Sequence, residues 1–570
     1  MKHLILLIAI LISFQMGYSQ NEILVKGKIN NYGSRIIQIG DYKAKIDSLG
    51  NFELKFKTSE PDIYTLMYHG EETDLFLEPK NVLEIEFNAQ DFYNTISFSG
   101  SNKNIQSFLV DLTVRTKPVT DYFKNQWNEL TALSEKEYIE KINELKFQVI
   151  NPIDEFVRNN QRKENPWFAK YYKLNTELNF NRLIYMYPVI HYDYVSLEDQ
   201  LKFRERYSYI ESFDYNDAKL LKNKNYIRLM SSILRLEVID QLINNPQLGK
   251  SDNQWITAYQ SAIIKMFSND TVRNYWLHRY IYDHIDNFGV KNIAYLIEEF
   301  NNVCTDSSYK QEINDYYQKE FSKRQNYLTR TYKQIDGFDL DAHIFKPKDL
   351  KSKEKRGAIL YFHGGGFSSG KPDWHCHYDS NGFVQISFEY RIYDRHGTMP
   401  FAAIEDAKSA IRWVRENAEE LQIDTNRIIA AGNSCGAAMV IATGLLDSLD
   451  NPSENLNISS KPTVMLLYAS GYDQTNKFGP VKDKSRLARI SGINIVKSNA
   501  PPCLVIHGSR DYGIPISEAK EFVDKMLLAG NLCEFKVLEG AGHVPWLKKP
   551  HSTEAYTARQ DFLRKIGYIE

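Results

Sequence analysis

The chain has 570 residues, of which 43 % are apolar and 25 % charged, and its net charge is −2. That length exceeds one ordinary domain, and the near-neutral balance excludes a protein held to nucleic acid by charge. The apolar share is that of a globular protein and excludes a disordered chain.

Lys2 and His3 open the chain, residues 4–12 are an unbroken apolar run, and Gly17-Tyr18-Ser19 puts small residues at the −3 and −1 positions of a cleavage point. This pattern predicts a signal peptide over 1–19, cleaved before Gln20, and a mature protein exported to a periplasm or secreted. The run is too short for a stable membrane span, and no later segment reaches about 18 apolar residues. No Cys stands at the cleavage point, so no lipid anchor is expected.

Residues 20–100 are expected to form a small β domain. Phe52-Glu53-Leu54-Lys55-Phe56 and Leu83-Glu84-Ile85-Glu86-Phe87 alternate with period two, and Ser48-Leu49-Gly50-Asn51 marks a turn. The stretch resembles the β-sandwich-like leader ahead of exported thioredoxin-like proteins of Bacteroidetes-type bacteria. No C-x-x-C follows, so redox chemistry does not carry over.

From 101 to 325 the pattern turns helical. Ser134-Glu135-Lys136-Glu137 is a capping box, and Tyr138, Ile142, Leu145 and Val149 follow on one helical face. Tyr185, Tyr187, Tyr192 and Tyr194 pose two readings, a carbohydrate platform or a packed helix face. The packed face is the commoner role of clustered tyrosines.

The chemistry is concentrated in 326–570. The apolar residues 428–431 run into Gly432-Asn433-Ser434-Cys435-Gly436 and then into Ala437-Ala438-Met439-Val440-Ile441. A strand, a G-x-S-x-G turn and a helix are the context of a nucleophile elbow, which exposes Ser434 at a helix N-terminus. Upstream, Ile359-Leu360-Tyr361-Phe362 leads into His363-Gly364-Gly365-Gly366-Phe367. Consecutive glycines let backbone N–H groups converge on one small volume, as an oxyanion hole requires. Downstream, Cys503-Leu504-Val505-Ile506-His507-Gly508 ends in Ser509-Arg510-Asp511, and Phe535-Lys536-Val537-Leu538 leads to Gly540-Ala541-Gly542-His543. Ser434, Asp511 and His543 each follow a strand, where open α/β sheets place their sites, and they occur in the order Ser…Asp…His. Asp473, also past a strand, is the alternative acid.

With Glu389-Tyr390-Arg391, Pro400-Phe401-Ala402-Ala403-Ile404-Glu405-Asp406-Ala407 and Arg412-Trp413-Val414-Arg415-Glu416-Asn417, residues 326–570 resemble an α/β-hydrolase of the hormone-sensitive-lipase-like and carbohydrate-esterase-like group. The elbow departs from that group's G-D-S-A-G at Asn433 and Cys435. The resemblance implies a doubly wound, mostly parallel α/β sheet at the C-terminus, after the small β-sandwich-like domain and the helical domain. Ser434 would attack an acyl carbonyl, His543 would take the proton, and Asp511 would hold the imidazole. The N–H of Cys435, with those of Gly365 and Gly366 as the resemblance implies, would form the oxyanion hole. His363 is expected to anchor the glycine loop, and Tyr390, Arg391, Glu405 and Asp406 to pin the fold. Residues 472–500 are expected to supply one wall of the cleft.

Five cysteines give no disulfide framework, and Cys503 and Cys533 are expected as buried free thiols in preference to a pair. His375-Cys376-His377 has no second ligand pair at zinc spacing, so no metal is expected, and no cofactor. The leading reading is an exported serine carboxylesterase for short-chain acyl esters, polysaccharide deacylation among its forms. A serine peptidase and an inactive binding or scaffold protein are the alternatives. The expected partner is a small ester or an acylated glycan, with no nucleic acid; oligomeric state is not legible.

Overall fold

The computed structural model describes residues 21–160, 166–187, 214–245, 252–372, 382–475, 477–478, 483–544 and 548–570. Residues 1–19, Tyr192, Tyr194 and His375-Cys376-His377 lie outside them. The chain divides into two compact units, one of residues 1–194 and 222–232 and the other of 195–221 and 233–570.

In the first unit, β1 (Glu22–Asn30), β4 (Asn51–Lys57), β7 (Val82–Asn88) and β8 (Ser97–Gly100) form one sheet in the order β4-β1-β7-β8. A second sheet has the order β3-β2-β5-β6, from β2 (Ile36–Ile39), β3 (Tyr42–Lys45), β5 (Asp62–Tyr68) and β6 (Glu71–Leu77). The alternation seen in the sequence puts Phe52, Leu54, Phe56, Leu83, Ile85 and Phe87 inward, and Ile37, Ile39, Leu66 and Leu75 from the second sheet share their core. Two sheets over one core make a sandwich. Helices α1 (Lys103–Asn125), α2 (Glu135–Asn160) and α3 (Pro166–Tyr185) follow. Gln106 of α1 donates to the Phe76 carbonyl at 2.6 Å and accepts from its N–H at 3.0 Å. Those bonds satisfy an edge strand that would otherwise offer open backbone groups. Glu137 accepts from the Ser134 N–H at 3.1 Å, the return half of the capping box. Tyr185 and Tyr187 are buried, and the Tyr187 ring lies 5.0 Å from that of Tyr138, so these two tyrosines pack.

The second unit is built on an eight-stranded sheet, β16-β15-β14-β13-β11-β12-β10-β9. Its strands are β9 (Leu328–Ile335), β10 (Phe338–Phe345), β11 (Arg356–Phe362), β12 (Val384–Phe388), β13 (Ile423–Asn433), β14 (Val464–Tyr468), β15 (Cys503–Gly508) and β16 (Cys533–Leu538). All run parallel from β12 to β16, while β9 and β10 pair antiparallel. Ile428 and Ala430 enter one core and Ile429 and Ala431 the other. Near-continuous apolar strands are what burial on both faces demands. Strand order reverses between β11 and its neighbours β12 and β13, which opens a crevice at the carboxyl ends of β11 and β13. Both the glycine loop and the elbow emerge there.

Helices α4 (Lys224–Asn244), α5 (Gln254–Met266), α6 (Asp270–Phe288), α7 (Ala294–Val303) and α8 (Ser307–Gln325) precede the sheet. From residue 233 onward they belong to the same compact unit as the sheet. The boundary expected at 325/326 thus falls inside that unit. Ion pairs on buried carboxylates cross it: Lys291 to Glu389 at 2.6 Å, Lys291 to Asp341 at 2.9 Å and the half-buried Arg324 to Asp341 at 2.6 Å.

Candidate active site

Ser434 stands between β13 and helix α9 (Cys435–Leu445) with φ +53° and ψ −121°. A non-glycine residue in that region is strained, and the surrounding structure must hold it there. The two elbow glycines make the turn possible. A Cβ on Gly436 would lie 2.1 Å from the Phe362 carbonyl oxygen, and one on Gly432 would lie 2.5 Å from the Gly436 carbonyl carbon. Neither position has room for a side chain. The Ser434 N–H donates to the Tyr468 carbonyl at 2.9 Å, tying the turn to the end of β14.

Ser434, His543 and Asp511, far apart in the sequence, are brought into one line. Ser434 Oγ lies 3.2 Å from His543 Nε2, and His543 Nδ1 lies 2.7 Å from Asp511 Oδ2. A carboxylate accepts only, so Nδ1 carries the proton and Nε2 is the acceptor facing the hydroxyl. The Asp511 side chain is fully buried, and its Oδ1 accepts from the N–H groups of Gly513 and Ile514, each at 2.9 Å. The alternative acid is occupied elsewhere. Asp473 accepts from the Thr475 hydroxyl at 2.6 Å and the Ser491 hydroxyl at 3.1 Å. Burial would raise its pKa, but these bonds outweigh it and hold the carboxyl below its usual value.

His507 reads in the sequence as core of strand β15, and the structure gives it a further part. It is fully buried, its Nε2 lies 2.9 Å from the Ile514 carbonyl and 3.5 Å from Asp511 Oδ2, and burial lowers its pKa. It therefore stays neutral and donates to the Ile514 carbonyl, bracing the turn that aims Asp511. The signal available in the sequence was a histidine in an apolar strand, four residues before the acid.

The glycine loop leaves β11 and packs on the elbow. A Cβ on Gly364 would lie 2.6 Å from Asn433 Nδ2 and 3.3 Å from Ser434 Cβ, so the two segments pack with no room for a side chain at 364. Gly365 at φ +126° and Gly366 at φ +62° turn the loop, and the Ser368 and Ser369 N–H groups close on the Gly365 carbonyl at 3.0 Å each. His363 is buried, its ring stacked at 4.2 Å on that of Tyr390, whose hydroxyl donates to the His363 carbonyl at 2.6 Å. It sits as the loop's anchor. The Cys435 thiol lies 3.6 Å from the Tyr390 hydroxyl. Burial pushes that thiol's pKa up, against the N–H groups of Phe367 and Gly366 that favour the thiolate. Arg391 bridges Asp406 at 2.8 Å and Glu405 at 3.0 Å, and Lys333 reaches the same pair at 2.7 and 2.8 Å. These are the pins expected of those residues. Cys503 and Cys533, paired in register on β15 and β16, are buried free thiols with sulfurs 3.0 Å apart.

A family model described as BD-FAE matches residues 342–469, which run from β10 through the glycine loop and the elbow to the end of β14. The sheet order and the strand–turn–helix elbow agree with that match. Residues 328–570 are an α/β-hydrolase unit. Esterase LipC of Mycobacterium tuberculosis is 30 % identical to it over 188 residues, 29 % of this chain and 45 % of the relative. Carboxylesterase NlhH of the same organism is 26 % identical over 217 residues, 36 % of this chain and 66 % of the relative. The chain thus spans less than two thirds of the length of these curated relatives. The solved apo form of Thermogutta terrifontis esterase 2 is 30 % identical, covering 43 % of this chain and 97 % of that one with a TM-score of 0.41. Among the described residues, no helix of the protein is long and apolar enough to cross a membrane.

Proposed function

We propose that this protein is an exported serine carboxylesterase that hydrolyses short-chain acyl esters, acylated glycans among them. The observation that carries the reading is the continuous line from Ser434 Oγ through the His543 ring to Asp511, at 3.2 and 2.7 Å. In the proposed reaction the Ser434 hydroxyl attacks the ester carbonyl carbon while its proton passes to His543 Nε2. Asp511 keeps the proton on Nδ1 and stabilises the imidazolium. The carbonyl oxygen becomes an oxyanion that the N–H groups of Cys435, Gly365 and Gly366 receive, each donor lowering the barrier by roughly 3–4 kcal/mol. Collapse expels the alcohol with the proton from His543, leaving an acyl-Ser434 ester. Water, deprotonated by the same histidine, then releases the acid.

The strained backbone at Ser434 supports the assignment, because a turn of that kind is retained where it aims a side chain. Export is read from the N-terminal pattern of residues 1–19, and the short-acyl preference from the brevity of the segment 472–500, which has helices only at Lys484–Ala488 and Gly492–Ile495 among its described residues. The test is an aryl-ester series from acetyl to decanoyl run beside aryl-amide peptides. Cleavage of acetyl and butyryl esters with little amide turnover is expected. Faster decanoyl turnover would remove the short-chain assignment, and faster amide turnover would make the protein a peptidase.

A further inference from the structure

Helices α4, α5 and α6 and the turn after β12 line an open-sided cavity of about 180 Å³, with Trp255, Tyr259, Tyr280, Asn287, Asp394 and Arg235 in its wall. An apolar cavity of ~150 Å³ accommodates benzene, so this volume suits one six-membered ring. The Tyr259 and Tyr280 rings stack at 4.1 Å and 18°, and the Arg235 guanidinium lies over Trp255 at 5.7 Å. Aromatic side chains form part of the cavity wall, but the polar groups decide which ring it suits. Asp394 is half-buried, its carboxyl raised by burial against the pull of Arg235. A hydrocarbon or plain aromatic ring would strip water from the half-buried Asp394 and in part from the exposed Arg235, and return no hydrogen bond to either. A ring bearing hydroxyls would satisfy both, since a hydroxyl both donates and accepts.

The cavity wall is bonded to the glycine loop. The Asp394 N–H donates to the Ser368 carbonyl at 3.1 Å, and the Gly370 N–H donates to the Asn287 carbonyl at 2.9 Å. Gly364, at the other end of that loop, abuts Ser434. The four peptide steps from Gly364 to Ser368 span at most ~15 Å. We propose that this cavity is a binding subsite for a single pyranose ring, on the alcohol side of a glycan ester and removed from the ring that carries the acyl group. The inference rests on the esterase reading above and adds the class of alcohol.

The experiment uses the full chain, Trp255→Ala and Asp394→Asn, with folding checked by thermal unfolding. Substrates are an aryl acetate, an aryl-alkyl ester of ferulic acid, and acetylated tetrasaccharides of the xylo, gluco and manno series. For at least one tetrasaccharide, each variant should raise KM about tenfold, the usual scale for removing one stacking ring or one charged hydrogen bond. Aryl acetate kcat/KM should stay within about twofold, because neither side chain touches the Ser434 line. Equal effects on aryl acetate and tetrasaccharide, or no cleavage of any tetrasaccharide by a wild-type protein that cleaves aryl acetate, would overturn the subsite. Loss confined to the ferulate ester would replace the pyranose by an aromatic ring. A wild type inert toward aryl acetate would sink the esterase reading alone. Saturation-transfer NMR with the unacetylated tetrasaccharides would then decide the subsite. A transfer signal present in the wild type and absent from Trp255→Ala would support it, and no signal in the wild type would overturn it.

Discussion

Lys291 Nζ lies 2.6 Å from Glu389 Oε2, and both side chains are 7 % exposed. Lys291 follows helix α6, while Glu389 follows strand β12, immediately before Tyr390 and Arg391. Burial would raise the pKa of Glu389, but Lys291, His343 and Arg395 hold its carboxyl well below the usual range. Arg324 adds a second cation, 2.6 Å from Asp341 and 3.5 Å from Glu389. Breaking a buried pair from one side leaves a desolvated charge and typically costs about 3–5 kcal/mol. Lys291→Met should therefore lower the unfolding free energy by about that amount. A chain beginning at residue 326 keeps Ser434, Asp511 and His543 but loses both Lys291 and Arg324. It is expected to lack a cooperative thermal transition and near-UV circular dichroism. A well-folded, esterolytic 326–570 fragment would show these cations to be dispensable.

The residues of the Ser434–His543–Asp511 line should act as a unit. Ser434→Ala and His543→Ala are each expected to cut ester kcat by about 10⁴–10⁶, since losing one member removes nearly the whole effect. Asp511→Asn should cost more than Asp473→Asn, because only Asp511 reaches His543. The reverse order in a kcat comparison would move the acid to Asp473. His507→Gln keeps a donor for the Ile514 carbonyl and should lose less than His507→Leu.

Most of the candidate site was legible because its parts are local. An elbow needs two small residues around a serine within five positions, and Gly432 and Gly436 declare it by their spacing. The helical propensity and apolar faces of the first unit were equally local, as was the alternation of β4 and β7. Three features were out of reach for the opposite reason. The pairing of Lys291 with Glu389 spans 98 residues and depends on tertiary placement. His507 looked like strand core because its function lies in a carbonyl seven residues on. The parallel pairing of β1 with β7 joins strands separated by five others, which no turn signal between neighbours encodes.

The elbow predicts a trade between stability and activity. Ser434 holds φ +53°, which glycine adopts without a Cβ penalty. Ser434→Gly should be inactive yet stabilised, by up to about 1–2 kcal/mol if relief of the left-handed strain exceeds the added chain entropy. Gly436→Ala points the other way, since its Cβ would meet the Phe362 carbonyl at 2.1 Å. Moving backbone to make room should destabilise the unit by about 3 kcal/mol and separate the elbow from the glycine loop. Urea unfolding of the two variants checks both signs. A Ser434→Gly protein less stable than Ser434→Ala would show that the turn stores no strain.

Three buried histidines set the acid limit of the fold. Burial, with Arg395 beside it, pushes His284 down to about 3; His396 is lowered well below its ordinary value for the same two reasons, and His507 is lowered by burial. The unfolded chain titrates these rings near pH ~6.5. Below that value the unfolded state binds protons that the folded state refuses, so stability is full above the unfolded pKa and falls as pH drops. The slope is up to ~1.4 kcal/mol per pH unit for each ring that stays neutral. Unperturbed carboxylates titrate below this range, so the window from about pH 7.5 to 5.5 reports mainly on the histidines. Urea unfolding across that window should show a steady loss of stability. His284→Gln, which keeps a polar side chain but binds no proton, should make the loss shallower by about one proton. An unfolding free energy that stays flat across the window in the unmutated protein would mean that these rings are protonated in the fold.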